Sequence, residues 1–140
     1  MGTLAARLRL LATRLARQLR QQADTGLSPS QLSALSTING SGPLTLGALA
    51  DLERVAPPSV TKVVSKLEAA GLVARQVDEN DRRVVRVATT SAGEALVADV
   101  RERKDAWLAA RVAEMTADER RRLADALEIL ERLTPMRPAR

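Results

Sequence analysis

Residues 78–83, with the sequence DENDRR, concentrate three carboxylates and two guanidinium groups between two short runs rich in β-branched residues. The runs LVARQV and VVRVAT are typical of β-strands, so the charged segment is predicted to be the tip of a β-hairpin. The spacing Asp81-x-Arg83 allows the carboxylate to hold the guanidinium in a fixed direction through a charge-assisted hydrogen bond. An arginine held in this way suits a narrow, A·T-rich DNA minor groove, where the negative potential is enhanced.

The backbone of this hairpin tip must reverse direction without a glycine. Asn80 is therefore the best candidate for the left-handed conformation that tight turns often require. The alternative interpretation of the tip is a solvated turn whose charges neutralise one another.

A helix with two distinct faces is predicted just before the hairpin, over residues 57–70. Pro57 and Pro58 fit its first turn, and Gly71 fits a left-handed ending with Leu72 folded back on Leu67. The stripe predicted to be buried consists of Val60, Val63, Val64 and Leu67. The exposed face carries small hydroxyl residues beside lysines, namely Ser59, Thr61, Lys62, Ser65 and Lys66. Such a face can approach base edges while the ammonium groups reach phosphates, although it would also suit simple solvation.

Further helices are predicted on the N-terminal side. Leucines recur at helical spacing from Leu4, which predicts a first helix that ends near Asp24. Ser28 can cap a second helix, which the NGSGP segment at residues 39–43 should break. After a minimal strand, Thr45 can cap a third helix, whose inward-facing residues are expected to be Leu46, Leu49, Ala50 and Leu52.

Two helices are predicted after the hairpin. Ser91 and Glu94 have capping-box spacing and should open a long helix that reaches Met115, and Thr116 should begin the last helix. The fold class is therefore mainly α with a small β-hairpin, in which a helix-turn-helix precedes the hairpin.

The composition of the chain argues against most enzyme classes. The 140 residues include no cysteine and no histidine, so the usual zinc ligands, the thiol nucleophile and the commonest general base are missing. No nucleophile–base pair or phosphate-binding glycine loop is visible either. We therefore expect no enzyme, no metal and no cofactor. Arginines interrupt the N-terminal leucines, which predicts no signal peptide or membrane span and a cytosolic location.

The net charge of +5 is concentrated in the N-terminal segment and around the hairpin. Basic zones of this kind favour a polyanionic partner such as double-stranded DNA. The charge alone would also serve an architectural or sequence-indifferent DNA-binding protein, because phosphate attraction does not depend on sequence.

Residues 44–93 resemble the MarR family of bacterial winged-helix transcription regulators. The segment SVTKVVSKLEAAGLVAR is similar to the recognition helix and first wing strand of the family, and DENDRRVVRVATTSAG is similar to its wing and the entry to its fifth helix. A looser similarity extends over both flanking helical regions. The resemblance implies one domain over residues 1–140, with a winged-helix DNA-binding lobe at about 28–94 and dimerisation helices at about 1–27 and 95–140.

The resemblance also implies roles for individual residues. Ser59, Thr61, Lys62 and Lys66 fall where the recognition helix of the family meets bases and phosphates. Asp81 matches the acid that braces the minor-groove arginine, here Arg83, and Arg75 and Arg82 would contact neighbouring phosphates. Ala56 departs from the usual Ser or Thr cap of that helix. The implied function is sequence-specific transcriptional regulation, most often repression, and the implied location is the nucleoid in the bacterial cytosol.

The leucines of the two terminal helices exceed what a winged helix alone could cover, which favours a partner surface. In the MarR family these helices interlock between two protomers, so the resemblance implies a homodimer. The dimerisation candidates are Leu4, Leu8, Leu11, Leu15, Leu123, Leu127, Leu130 and Leu133. The alternative is that they pack within one protomer. A two-fold dimer predicts a pseudo-palindromic operator with recognition helices roughly 34 Å apart.

Members of the family commonly release DNA when a small aromatic or phenolic acid binds between the dimer helices and the DNA-binding lobe. The resemblance therefore implies a ligand-responsive regulator, but the sequence identifies no effector-binding residue. Trp107 could line a pocket, with core or dimer packing as the alternative.

Overall fold

The computed structural model describes residues 2–135. Within them the elements are α1 (Leu4–Gln21), α2 (Pro29–Ser41), β1 (Leu44–Thr45), α3 (Leu46–Glu53), α4 (Pro57–Ala69), β2 (Val73–Val77), β3 (Val85–Thr89), α5 (Ser91–Ala113) and α6 (Ala117–Leu133). The chain forms two compact units. One comprises residues 23–102, and the other combines residues 2–22 with residues 103–135.

The unit of residues 23–102 contains a three-stranded antiparallel sheet with strand order β1-β3-β2. Strands β2 and β3 pair from Val73 opposite Thr89 to Val77 opposite Val85, which confirms the predicted hairpin. The minimal strand β1 pairs with the other edge of β3, with Leu44 opposite Val87.

The core of this unit is built from aliphatic side chains of α2, α3, α4 and the sheet. Its fully enclosed members include Leu35, Leu49, Val64, Leu67 and Val87. The predicted stripe of α4 is confirmed, since Val60 is also buried and Val63 packs half-buried against the same cluster. Burial of this stripe decides which face of α4 is left for solvent or a ligand.

Local signals set the start of α2 and α3 as predicted. The Ser28 hydroxyl oxygen accepts the Gln31 N–H at 3.2 Å, and the Gln31 side chain accepts the Ser28 N–H, which completes a capping box. The Thr45 hydroxyl oxygen accepts the Ala48 N–H at 3.1 Å. These bonds satisfy amide groups that have no partner within a helix.

The end of α4 has the predicted glycine ending. Gly71 has φ +76°, the Gly71 N–H donates to the Glu68 carbonyl, and the Leu72 N–H donates to the Leu67 carbonyl, both at 3.0 Å. This pair of bonds defines a Schellman motif. It turns the chain directly from α4 into β2.

Two predictions on the N-terminal side are corrected, and a third is refined. α1 ends at Gln21, three residues before Asp24. α2 ends at Ser41, within the NGSGP segment that was predicted to break it; the helix continues through Asn39 and Gly40, and the chain leaves it at Gly42, with φ +72°. Leu52 is 45% exposed, since it lies two residues beyond buried Ala50 and so about 200° around α3.

The start of α5 also differs from the prediction. Thr90, and not Ser91, caps the helix, because the Thr90 hydroxyl oxygen accepts the Gly93 N–H at 3.1 Å. The helix ends at Ala113, two residues before the predicted Met115. Its cap is therefore the residue that directly follows β3.

The other unit contains α1, α6 and the part of α5 from Arg103 onward. Neither α1 nor α6 has a fully buried residue. Thr116 and Glu119 form a reciprocal capping box at the start of α6, which confirms the predicted helix start. Among residues 2–135, no helix combines the length and the apolarity that crossing a lipid bilayer demands.

Candidate nucleic-acid interface

The exposed face of α4 carries all five hydroxyl and lysine residues that the sequence singled out. Ser59, Lys62 and Lys66 follow one i, i+3, i+7 row, and Thr61 and Ser65 follow an adjacent i, i+4 row. All five are exposed and lie opposite the buried valines. Among residues 2–135 neither lysine has an ion-pair partner, so both ammonium groups are available to a phosphate.

One hydroxyl of this face is already engaged. The Thr61 hydroxyl donates to the Pro57 carbonyl at 3.2 Å, within the first turns of α4. Its oxygen keeps free lone pairs, so Thr61 can present an acceptor and a methyl group to a DNA groove but no hydrogen-bond donor. The helix begins without a side-chain cap at Ala56, as the sequence predicted.

The tip of the hairpin holds Arg83 against Asp81. The Arg83 Nε–H donates to Asp81 Oδ1 at 3.1 Å, and Nη2 donates to Oδ2 at 3.3 Å. The Arg83 side chain is nevertheless 91% exposed. The guanidinium, followed by the backbone N–H of Arg83, lowers the pKa of the Asp81 carboxyl. The predicted brace is therefore confirmed as a forked, charge-assisted pair.

The turn itself is organised by Asp78. Its Oδ1 accepts the N–H groups of Asn80 at 2.8 Å and Asp81 at 3.0 Å, and its Oδ2 accepts Nη1 of Arg86 at 2.6 Å. These bonds, led by the one from Arg86, lower the pKa of Asp78 to about 2. Asn80 does not have a positive φ, so the prediction of a left-handed Asn80 is wrong. The carboxylate closes the turn that a left-handed residue was expected to close.

Two further arginines predicted to meet phosphates lie in different surroundings. Arg75 on β2 pairs with Glu68 of α4, with Nε and Oε2 separated by 3.2 Å. Arg82 is exposed at the hairpin tip. Arg75 therefore links α4 to the hairpin, while the charge of Arg82 is available to solvent or to a ligand.

The turn between α3 and α4 contains a residue whose role the sequence did not indicate. Arg54 has φ +55° and is the one non-glycine residue with positive φ in residues 2–135. The preceding residue, Glu53, accepts hydrogen bonds from the hydroxyls of Ser33 and Thr37 on α2. Glu53 thus fastens the end of α3 to α2 just before the chain enters α4.

A second fastening joins the end of α4 to the start of α5. The Thr90 hydroxyl donates to the Gly71 carbonyl at 2.6 Å, and the Thr90 N–H donates to the Leu72 carbonyl at 3.0 Å. Gly93 is packed against the same segment, because a Cβ placed there would lie 2.1 Å from the Leu72 carbonyl oxygen. The position of α4 is therefore supported at both of its ends.

The eight leucines proposed for dimerisation lie on α1 and α6. Seven of them are exposed, from 36% for Leu8 to 82% for Leu4, and Leu130 is half-buried. On α5, Trp107 is half-buried and the guanidinium carbon of Arg111 lies 3.5 Å from its ring centre. Within the described part of the chain, no group of three acidic side chains is arranged to hold a metal ion.

Comparisons with known proteins agree with this architecture. The MarR family model matches residues 27–85. The uncharacterized HTH-type transcriptional regulator ML2140 of Mycobacterium leprae is 40% identical over 136 residues, 96% of this chain and 95% of that protein. The structure of a MarR family protein from Bacillus stearothermophilus is similar with a TM-score of 0.82 at 28% identity, covering 95% of this chain and 94% of that one.

The fold also occurs in a solved DNA complex. The F27L mutant of MepR from Staphylococcus aureus, bound to an oligodeoxyribonucleotide, is similar with a TM-score of 0.73 at 20% identity, covering 95% of this chain and 99% of that chain. At this identity the similarity concerns the fold alone.

A helix-turn-helix whose second helix is followed by a β-hairpin defines a winged-helix DNA-binding protein. This chain belongs to the MarR family of helix-turn-helix transcriptional regulators, as the family resemblance of residues 44–93 predicted. Its relatives are named as transcriptional regulators and not as enzymes.

Proposed function

We propose that this protein is a sequence-specific regulator that places α4 in the DNA major groove and Arg83 in the adjacent minor groove. The observation that supports this most directly is the Asp81–Arg83 pair, which orients a guanidinium that stays 91% exposed. An arginine oriented before binding loses less side-chain freedom when it enters a groove. A loop that served only to turn the chain would have no need of this arrangement.

Within this proposal α4 supplies both affinity and base recognition. Lys62 and Lys66 neutralise phosphates, which positions the helix without reading sequence. Ser59, Ser65 and the Thr61 methyl group are small enough to let the helix approach base edges. Arg82 adds a phosphate contact beside the groove that Arg83 enters, and Arg75 serves as a phosphate contact only where its pairing with Glu68 leaves a donor free.

We further propose that the protein acts as a homodimeric repressor through its terminal helices, roughly residues 1–27 and 95–140. Exposed leucines on both α1 and α6 support this, because apolar surface of this extent usually covers a partner. Two copies related by a two-fold axis would read a pseudo-palindromic operator and block transcription from it. The proposed function includes neither an enzymatic activity nor a membrane partner. The proposed location is the cytosol, where the DNA lies.

The alternative function is that of an architectural or sequence-indifferent DNA-binding protein. The net charge of +5 supports it, since phosphate contacts alone can bind any duplex. The two functions differ in what remains at high salt: specific contacts keep one duplex bound, while phosphate-driven binding is lost for all duplexes together.

The experiment that tests the proposal is selection of the purified full-length protein on a random duplex library. Fluorescence anisotropy of the enriched duplex and a scrambled duplex then follows over a series of salt concentrations. We expect a pseudo-palindromic motif whose affinity exceeds that of the scrambled duplex by about 10³-fold or more at physiological salt. Absence of an enriched motif, with equal loss of both duplexes as salt rises, would support the alternative function.

The proposal includes a response to a small ligand, for which an aromatic or phenolic acid remains the prediction from the family. No residue is assigned to that acid.

A further inference from the structure

A cleft of about 350 Å³ lies between α2 and the start of α4, entirely within residues 23–102. Its volume is at the lower end of the range of small-molecule sites. The apolar part of its wall comprises Pro29, Ala34, Val55, Val60 and Val63. The cleft is therefore suited to a compact apolar group.

The polar end of the cleft is dominated by Glu53. This half-buried carboxylate accepts hydrogen bonds from the hydroxyls of Ser33 and Thr37, which are neutral groups. A carboxylate has about four lone-pair positions, so two hydroxyls leave acceptor capacity unused. In residues 2–135 no lysine or arginine pairs with Glu53, so its negative charge has no cationic partner there.

We propose that this cleft binds a small organic cation, in which a protonated amine pairs with Glu53 and an apolar body fills the space among the valines. The pairing would be a charge-assisted hydrogen bond in a partly desolvated place, where such bonds are stronger than neutral ones. An organic acid in the same position would place two negative charges side by side. The cleft therefore selects the opposite charge from that of the phenolic acid predicted from the family.

The cleft also touches the DNA-facing surface. Its wall includes Ser59, which the proposed function assigns to the major groove, and Val60 and Val63, which hold α4 in place. A ligand beside Ser59 and a DNA groove cannot both occupy the space in front of that residue. Binding of cation and DNA is therefore mutually weakening, by the same factor in each direction. This regulatory step rests on the proposed function, whereas the site itself does not.

The site is tested without DNA by isothermal titration calorimetry at pH 7 on the full-length protein. The probes are 1-naphthylmethylamine, which is protonated, its neutral analogue 1-naphthylmethanol, and the anion 1-naphthoate. We expect the amine to bind most tightly and the naphthoate least. Equal affinity for amine and naphthoate, or no detectable heat from the amine, would overturn the proposal on the wild-type protein alone.

A pair of variants locates the bound amine. Glu53→Gln keeps the shape of the side chain but removes its charge and one of its two acceptor oxygens. It should lower the affinity for the amine by about tenfold or more, the size of a charge-assisted bond. Asp51→Asn removes an exposed carboxylate from the same helix that does not line the cleft, and it should leave the amine affinity unchanged. Thermal unfolding checks that both variants fold. Retention of wild-type amine affinity in Glu53→Gln would assign Glu53 to holding α2 and α3 together and nothing more.

The regulatory step is tested by operator titrations at saturating amine. We expect the operator Kd to rise, and to rise far less in Glu53→Gln. An unchanged Kd would overturn the regulatory step while the calorimetry upholds the site. Failure to bind any operator would contradict the proposed function and leave the calorimetric result intact.

Discussion

The Asp78 carboxylate binds the Arg86 guanidinium at 2.6 Å and also accepts the backbone N–H groups of Asn80 and Asp81. One side chain therefore connects β3 to the loop that presents Arg83. The shape of the wing tip depends on an ionised carboxylate, which makes that shape sensitive to pH.

Replacement of Asp78 by Asn should remove an acid-sensitive part of the stability. The pKa of Asp78 is about 2 in the folded protein, against 3.8 for the carboxyl without these interactions. The stability that Asp78 contributes is therefore complete above about pH 4 and is lost as the pH falls toward 2. Urea unfolding at a series of pH values should show a stability difference between wild type and Asp78→Asn that is constant near neutrality and shrinks below pH 4. Glu79→Gln, at an exposed neighbour, is the matched control, and an equal difference at pH 6 and pH 2 would contradict the prediction.

Loss of Arg83 should affect DNA binding and spare the fold. Arg83→Ala removes a side chain that is 91% exposed, so the free energy of unfolding should change by no more than about 0.5 kcal/mol. Operator affinity should fall by about tenfold or more, as expected for loss of one charge-assisted contact. Arg83→Lys keeps the charge and loses the fork against Asp81, so it should recover only part of the loss. Anisotropy titrations that found equal affinity for wild type and Arg83→Ala would remove the wing from the mechanism.

A methyl group at Gly93 should destabilise the fold. The added Cβ would meet the Leu72 carbonyl oxygen at 2.1 Å, and because that atom belongs to the backbone, the segment after α4 would have to move. We expect Gly93→Ala to lower the free energy of unfolding by about 1–3 kcal/mol. Gly47→Ala is the control within α3, where nothing lies within 4 Å, and it should stabilise by about 0.5–1 kcal/mol. Urea unfolding measures both, and a neutral Gly93→Ala would show that the segment gives way easily.

A hydroxyl at position 56 should stabilise α4. Ala56 already has the extended backbone of a cap, with φ −67° and ψ 144°, but offers no side-chain acceptor. Pro57 and Pro58 have no N–H, and the Ser59 N–H donates to the Ala56 carbonyl at 3.0 Å. A serine hydroxyl would share this one donor, so Ala56→Ser should add at most about 1 kcal/mol to the free energy of unfolding. Thr45→Ala, which removes the existing cap of α3, should cost about the same amount. Thermal and urea unfolding compare the pair. No gain from Ala56→Ser would mean that the Ala56 carbonyl alone satisfies the Ser59 N–H.

Charges placed on the terminal leucines should separate a dimer. Leu11→Asp on α1 and Leu127→Asp on α6 each put a carboxylate on apolar surface that is proposed to meet a partner. Sedimentation velocity at micromolar concentration should give a dimer for wild type and a shift toward monomer for each variant. Leu52→Asp, on similarly exposed surface of the other unit, should stay dimeric. A monomeric wild type would contradict the proposed dimerisation through the exposed leucines of α1 and α6.

Local chemistry made much of the proposed DNA-binding site predictable. The Asp81-x-Arg83 spacing was enough to indicate the forked pair, because two residues of separation at a turn bring these side chains together. The buried stripe of α4 followed from helical periodicity, and the ending at Gly71 followed from the conformational freedom of glycine. Each of these signals lies within a few residues of its effect.

The features that the sequence did not indicate depend on distant partners or on competing signals. The bond between Asp78 and Arg86 spans eight residues and becomes visible only when β2 and β3 are paired in register. Glu53 meets Ser33 and Thr37 across two helices, so no local pattern marks it. Thr90 outcompetes Ser91 as a cap because its hydroxyl also reaches the Gly71 carbonyl, a contact set by the tertiary fold.

The pairing at the wing has a consequence for the rates of DNA binding. Residues 78–86 contain as many carboxylates as guanidinium groups, so the excess positive charge around the hairpin lies outside this segment and the wing tip itself is electrically neutral. A neutral segment contributes little to the long-range attraction that speeds encounter between a protein and a polyanion. The wing should therefore act after arrival: Arg83 prolongs the lifetime of the complex, while the unpaired lysines of α4 govern how fast the complex forms.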